Sequence, residues 1–569
     1  MRQRCNITLF VFVILFLFFG EVFAGGGVYW QENGVLVCDS TRWGGITFVS
    51  DGKGGAITGW RDERNYFSIY AQRVNKNGNM LWDTNGVPVC YDGTAYLEPD
   101  ISCVSDGRGG AIFVWVDFVN IVDSAYYNVF VQRIDSMGVC HWGSNGIRVA
   151  YADSIQMYPS IVSDGAGGCI VAWEDRRNGN VDIYAQRVDS SGNLLWNDSG
   201  VAVCVANGQQ YRPQIAYDGF NGAVITWEDH RAGDGQIYAQ RLDSNGAQLW
   251  GVNGIPVCTL YSGQPSIINV NNNFVISWGD FRNNNVDVYA QKIGLDGSPQ
   301  WAENGIPICV VDSSQGGTSI IADNCGGVII SWWDYRNGNW DIYSQRVDSS
   351  GILLWDSVGV AVCDADSDQE YLSVVSDGRS GAIVTWKDYR NGNWDIYCQR
   401  VDSSGVLQWG GGGLPVCVEL SYQGHPEIVS DGDCGAIVAW ADNRNSGCVY
   451  AQRVGDVEGV EETENSDFGF RISDLKVHPN PFTTTTHIKL TLPSSEFRVP
   501  SSELRIYNVS GRLVKNLSLG AGHWALETTV VWDGRDNAGK EVKSGIYYIR
   551  VKTQRQSFIT KVVKINCNK

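Results

Sequence analysis

The sequence predicts an all-β protein, an eight-bladed β-propeller of four-stranded blades in which an N-terminal strand closes the last blade, followed by a small β-sandwich. Three observations carry this. An Asp-Gly step (once Asp-Asn) recurs at Asp51, Asp106, Asp164, Asp218, Asp323, Asp377 and Asp431, with a worn copy around Asn271, which makes eight units at intervals of 52 to 58 residues. A fixed period of this length is the signature of a repeat architecture. Each unit holds four short apolar runs bounded by turn residues. The last unit lacks its fourth run, and the chain begins with a fourth run that has nothing before it.

The third unit shows the pattern most clearly. A first run, Pro159-Ser-Ile-Val-Ser163, precedes the turn Asp164-Gly-Ala-Gly-Gly168. The second run, Cys169-Ile-Val-Ala-Trp173, leads into Glu174-Asp-Arg-Arg177 and the turn Asn178-Gly-Asn180. The third, Asp182-Ile-Tyr-Ala-Gln-Arg-Val188, ends at Ser190-Ser-Gly192, and the fourth is Gly200-Val-Ala-Val-Cys204. Runs of 4 to 8 residues rich in Val, Ile, Tyr and Trp between Gly, Asn, Asp and Ser read as strands and hairpins. Asn-Gly supplies the positive φ of a tight hairpin. No unit shows helical periodicity. The inner runs are continuously apolar, as expected where neighbouring blades cover both faces. Radial repetition of four-stranded sheets is a propeller. Val28-Tyr-Trp30 and Gly34-Val-Leu-Val-Cys38 are expected to supply the strand missing after Tyr450-Ala-Gln-Arg453, which removes an open edge.

Residues 1–24 read as a signal peptide: Arg2 and Arg4, an apolar stretch from Leu9 to Phe19, and a small-residue end at Val22-Phe-Ala24. The stretch is short for a bilayer span. No other segment is apolar enough to cross, so no transmembrane segment is expected after cleavage. Residues 25–455 are the ring, and an acidic linker occupies 456–471. A β domain fills 472–569. Charge follows the same division: 16 Lys+Arg and 7 Asp+Glu lie from Arg471 onward, against 27 and 55 before it. An acidic ring argues against nucleic acid and anionic membrane surfaces as partners.

Of the 16 cysteines, Cys38, Cys90, Cys204, Cys258, Cys309, Cys363 and Cys417 hold one place in their units, with Ala150 there in the remaining case. Equivalent points on adjacent blades are too far apart for a disulfide, so small buried hydrophobes are expected. No CxxC occurs, so no metal site is assigned. Trp-x-Asp-x-Arg recurs in seven units, with Val119 replacing Arg in the second, and Gln-Arg or Gln-Lys recurs in all. A catalytic pair is needed once, so both read as structural. Asp175 to Asp182 alternates oxygen ligands like a calcium loop, but its arginines oppose a cation and its Asn-Gly already serves a turn. No cofactor is assigned. The Ser-Asp-Gly-x-Gly-Gly…Trp turn is similar to the Asp-box of sialidase-type propellers, with different spacing, so no catalytic residue carries over. His141, His230 and His425 fall in different units with no triad context.

Two features point to binding. Gln156, Gln210, Gln315, Gln369 and Gln423 each lie eight residues before the Asp of the turn and are expected to ring the channel mouth. Tyr335 with Trp340, and Tyr389 with Trp394, place aromatic pairs at neighbouring hairpin tips. Rings that stack on sugars and amides that reach hydroxyls suit a carbohydrate. The structural alternatives are an amide bonded to the next blade and a Trp that covers a blade edge. The blade connections Tyr91 to Glu98, Tyr151 to Tyr158, Val205 to Arg212 and Val418 to His425 vary between units, as does the longer second-unit hairpin Phe118 to Asn128. All are expected on one face.

In the last hundred residues, Val477-His-Pro-Asn-Pro-Phe482, Thr486-His-Ile-Lys-Leu-Thr-Leu-Pro493, Leu504-Arg-Ile-Tyr-Asn-Val-Ser-Gly511, Trp532-Asp-Gly-Arg-Asp-Asn-Ala-Gly539 and Ser544-Gly-Ile-Tyr-Tyr-Ile-Arg550 follow in order. This series resembles the C-terminal sorting domain of type IX secretion cargo and its relative, the FlgD-like immunoglobulin-type domain. The resemblance implies an immunoglobulin-like β-sandwich read by a secretion or surface-attachment machine. The ring resembles secreted bacterial propellers. Together these predict a bacterial protein, secreted or attached to the cell surface, that binds a glycan or protein ligand. A secreted glycoside hydrolase or lyase of propeller type and a purely structural surface component are the alternatives.

Overall fold

The computed structural model describes residues 26–564 apart from 40–44, 63, 65–67, 92–100, 122–123, 445–446, 457–473, 481, 492–502, 509–511, 519–526 and 553–556. The signal peptide and most of the linker expected from the sequence lie outside the described residues. Among the described residues there is no α-helix, and no helix long and apolar enough to cross a membrane.

Residues 26–456 form antiparallel sheets of propeller type. Among the described residues, seven sheets of four strands and one of five follow the sequence units. The third unit pairs Gln156–Ser163, Cys169–Asp175, Asp182–Val188 and Val201–Cys204 in chain order. The five-stranded sheet joins the two ends of this region. Its strand Cys448–Asp456 pairs with Gly26–Val28 and with Val35–Cys38, in the register Val35↔Ala451 and Leu36↔Tyr450. The first strand of each sheet lies beside the first strand of the next, and Gln423–Ser430 lies beside Ile46–Ser50, which completes the circuit. The worn fifth copy is a plain hairpin. Asn271 and Asn272, at φ 54° and 60°, turn it between Ser262–Val270 and Asn273–Asp280, the two positive φ values that a type I′ turn requires.

Two repeated latches explain the constant residues. In the sixth unit Asp334 Oδ2 accepts from Trp332 Nε1 at 2.9 Å, and its Oδ1 accepts from Arg336 Nε at 2.8 Å. The Arg336 guanidinium stacks 3.9 Å from the Tyr343 ring and donates to the Val358 carbonyl at 3.0 Å. It also donates to Cys309 Sγ of the preceding unit at 3.1 Å. The same bond from Arg to the preceding cysteine joins Arg231 to Cys204, Arg390 to Cys363 and Arg444 to Cys417. These cysteines are free and buried. Burial pushes the thiols of Cys204, Cys309, Cys363 and Cys417 up to about 12, so they remain protonated. They are more than small hydrophobes, because each accepts a charged donor from its neighbour across the sheet-to-sheet seam.

The second latch holds the opposite face. Asp323 Oδ1 accepts the N–H groups of Cys325 and Gly327, and its Oδ2 accepts Arg346 Nε at 2.9 Å. Arg346 Nη1 reaches the Ser403 carbonyl in the next unit's Asp402-Ser-Ser-Gly405 turn. Gln345 ties the third strand to the segment that leads into the fourth, donating to Asp356 O and accepting from Trp355 N. The Asp-Gly and Asp-Ser-x-Gly turns therefore share a face. Among the described residues the sheet-to-sheet connections and the second-to-third-strand hairpins share the other: Asn180 Nδ2 donates to Gly208 O, and Gln210 N to Val181 O; of the connection Tyr91 to Glu98, residues 92–98 lie outside the described residues.

The C-terminal domain is a sandwich. Asp474–His478, Thr486–Thr491 and Glu527–Trp532 form one sheet. Leu513–Ser518, Glu503–Asn508, Gly545–Lys552 and Ser557–Lys564 form the other. Phe482, Ile488, Ile506, Trp532 and Ile549 pack between them.

Candidate functional site: the channel mouth

On the hairpin face, among the described residues, the first strand of six units carries the same irregularity. Pairing with the second strand skips between Met157 and Ser160, Tyr211 and Gln214, Gly263 and Ser266, Gly316 and Ser319, Glu370 and Ser373, and Gly424 and Glu427. The skip is a β-bulge, which bends a strand and re-aims one side chain. The residue so placed is Tyr158, Arg212, Gln264, Gly317, Tyr371 or His425, at φ between 51° and 60°. A left-handed backbone in a bulky residue is a genuine outlier. It costs of order 1–3 kcal/mol per site and collects where function demands it. Five of the six equivalent places therefore hold side chains chosen for something other than local stability. The side chains at the five non-glycine positions are exposed, Tyr158 at 49% and Tyr371 at 45%.

Behind this collar the residue between Trp and Asp also changes from unit to unit. Glu174 accepts the Arg212 N–H at 2.8 Å, and Glu228 accepts the Gln264 N–H at 3.3 Å and faces His230 Nε2 at 2.8 Å. These carboxylates fix the next unit's bulge. In the sixth unit Trp333 takes the place. Its ring lies 2.8 Å from where a Cβ on Gly317 would stand, and 5.8 Å from the Tyr371 ring. A side chain at 317 would collide with the indole, so glycine leaves that face uncovered. In the seventh unit Lys387 pairs with Glu370 at 3.0 Å and lies 4.4 Å from the Tyr371 ring and 3.8 Å from the Trp394 ring.

Between the collar residues of the third to sixth units is a cavity of about 520 Å3, lined by Tyr158, Arg212, Gln214, Gln264, Ser266 and Thr318 among others. Deeper along the first strands, at the place held by Ser373 and its counterparts, the eighth unit carries Glu427. Burial raises its carboxyl to about 7, against the pull of the Ser373 hydroxyl 3.3 Å away. Glycosidases set two carboxyl groups across the scissile bond. The acids Glu174, Glu228 and Glu370 instead hold an amide N–H, an imidazole or an ammonium. Among the described residues no cluster of His, Cys, Asp and Glu is arranged to hold a metal ion. The carboxylate of the calcium-like loop, Asp182, accepts from Asn178 and Asn180.

The sequence-predicted residues fall around this mouth in two ways. The five glutamines do not form an open ring of amides: Gln156, Gln210, Gln315, Gln369 and Gln423 are at most 1% exposed. Gln315, Gln369 and Gln423 donate to the carbonyls of Ser313, Ser367 and Ser421, and Gln156 donates to Asp175. The bulge is the physical reason. It begins just after the glutamine, so the glutamine points inward and the second residue beyond it points to the mouth. The aromatic pairs lie on the hairpin face, with Tyr335 and Tyr389 exposed and Trp340 and Trp394 half-buried. Tyr335 and Trp340 have ring centroids 5.1 Å apart, and Tyr389 and Trp394 5.0 Å. A third pair, Tyr261 stacked on Phe281 at 4.4 Å, extends the arc to the fifth unit. The collar itself was missed, although its signal is visible: a changing residue two places after the glutamine.

Comparison with known proteins bears on the sandwich. Residues 481–557 match the FlgD Ig-like domain. The match covers the C-terminal domain and none of the ring. No curated protein matches the chain. Among solved structures, the BP39L lectin from Burkholderia pseudomallei is similar at 12% identity and a TM-score of 0.42, over 66% of this chain and 99% of that one. The polysaccharide lyase Uly1 is similar at 8% identity and a TM-score of 0.39, over 75% and 98%. An α-L-arabinanase from Penicillium chrysogenum is similar at 10% identity and a TM-score of 0.31, over 58% and 99%. Likenesses this distant carry neither ligand nor activity to this chain.

Proposed function

We propose that residues 25–455 form an eight-bladed β-propeller that binds a saccharide at the channel mouth on its hairpin face. The observation that carries this is the collar: six equivalent bulges holding Tyr158, Arg212, Gln264, Gly317, Tyr371 and His425, strained at all but the glycine. A symmetric scaffold recognises an asymmetric ligand only by breaking its symmetry, and recognition is commonly placed on segments held by a rigid frame. Exposed aromatic faces beside amide, hydroxyl and charged donors fit sugar rings, and the arc of Tyr335, Trp340, Tyr389 and Trp394 widens the platform outward. The protein is exported behind a signal peptide at 1–24. After the 456–471 linker, the domain at 472–569 engages a type IX secretion or surface-attachment machine and leaves the ring outside the cell or on its surface. A glycan array probed with the full mature chain tests the binding. Signal lost in Tyr158→Ala and Tyr371→Ala at unchanged melting supports it, and an array silent for the wild-type chain sinks it.

A further inference from the structure

We infer that the cavity between the third and sixth units takes an acidic sugar, with the Arg212 guanidinium as the partner of its carboxylate and Tyr158 as the platform for its ring. This deepens the saccharide-binding reading above and rests on it. The arginines of the repeated latches are committed: Arg177, Arg231, Arg282, Arg336, Arg390 and Arg444 each pair with a buried aspartate at 2.5 to 2.7 Å. So are Arg73, Arg133, Arg187 and Arg241 on the turn face. Arg212 differs. Its backbone N–H is held by Glu174, but among the described residues its guanidinium has neither an ion pair nor a hydrogen-bond partner. It is exposed, at φ 56°, and lines the cavity. A strained backbone that delivers an unpaired cation into a cavity is a recognition device in want of an anion.

The remaining lining says what else the anion must carry. Tyr158 offers an exposed ring on one side of Arg212, and Gln264 a carboxamide on the other. Gln214, Ser266 and Thr318 offer neutral donors and acceptors further round. This is the complement of a pyranose ring with hydroxyls and one carboxylate, a uronic-acid residue. The guanidinium fork matches a planar carboxylate with two parallel bonds. The ring's net acidity repels anions at long range, since 55 acidic residues face 27 basic ones before Arg471. A bare small anion gains nothing to offset that, whereas a sugar acid gains stacking and hydroxyl bonds as well.

The test uses the full mature chain with oligogalacturonate, its methyl ester, in which the charge is removed and the sugar kept, and a neutral galactan, read by isothermal calorimetry. Hyaluronan and oligoalginate serve as further uronate probes. The wild-type chain should bind a uronate oligomer about ten- to a hundredfold tighter than the esterified or neutral one, the worth of a charge-assisted bond. Arg212→Met should abolish that preference with melting unchanged, and Arg212→Lys should restore part of it. Equal binding of acid and ester, or a preference that survives Arg212→Met, overturns the inference while leaving saccharide binding intact. Binding of no saccharide at all, or of a polypeptide ligand instead, overturns both.

Discussion

The repeated framework and the collar at the mouth follow opposite rules. In the framework the same chemistry is made again and again: Asp323 with Arg346 on one face, Asp334 with Trp332 and Arg336 on the other, and a cysteine accepting from the next unit's arginine. The aspartates, the tryptophan and the cysteine are buried, and every one of these groups, the part-buried arginines included, has its partner. At the collar the backbone is the same in six units among the described residues while the residue varies, only Tyr occurring twice, and the backbone is strained at the five non-glycine places. The framework is built for stability, and the collar gives some of it up. In a repeat protein, recurrence marks what holds the fold, and variation at a fixed and costly backbone position marks what the fold holds out.

The most severe test of the framework is to open its circuit. A chain lacking residues 25–38 loses the partners on the outer side of Cys448–Asp456, which keeps only Ala436–Asp442. It should expose a strand edge and aggregate, visible as light scattering during purification. A soluble variant with wild-type melting would break the claim that the circuit is one unit. Next in size is Asp323→Ala, which strands Arg346 and two backbone N–H groups. Removing one partner of a buried pair costs ~3–5 kcal/mol, read from urea unfolding, with ligand binding unchanged below the transition.

The collar should respond in reverse. Tyr158→Gly should be more stable than Tyr158→Ala by about 1 kcal/mol, because only glycine is at ease at φ 51°. Both variants should lose the ligand. Equal stability of the two would remove the strain from the comparison. The smallest effect is expected at Glu427, whose carboxyl is raised to about 7 from an ordinary 4.5 by burial. Its ionisation is disfavoured in the folded chain, so stability should fall as pH rises from about 4.5 through about 7. Glu427→Gln should melt like the wild type at pH 4 and above it at pH 8. A gap of the same size at both ends would mean that Glu427 does not titrate as described.

What the sequence showed and hid follows the same division. Strand runs, hairpins and the pairing of Val35–Cys38 with Cys448–Asp456 were legible because hydrophobic runs and turn residues set them locally and the repeat averaged them. The collar was not, because a bulge reverses which residues face outward without changing composition. Gln369 looks like the mouth residue by period, yet Tyr371 is the one set there by the skip before Ser373. The cysteines were placed but undervalued. A thiol that accepts from Arg390 at 2.9 Å looks, in sequence, like any small apolar residue.

The five-stranded sheet has a consequence in time. Its closing pairs join residues more than 400 positions apart, as when Gln452 Nε2 donates to Gln31 O. Loop-closure entropy must be overcome before such contacts reward it. During synthesis the N-terminal strand has no partner until Asp456 has been made. The circuit can therefore fasten only when the chain is nearly complete, with the strand made first waiting for the one made near the end.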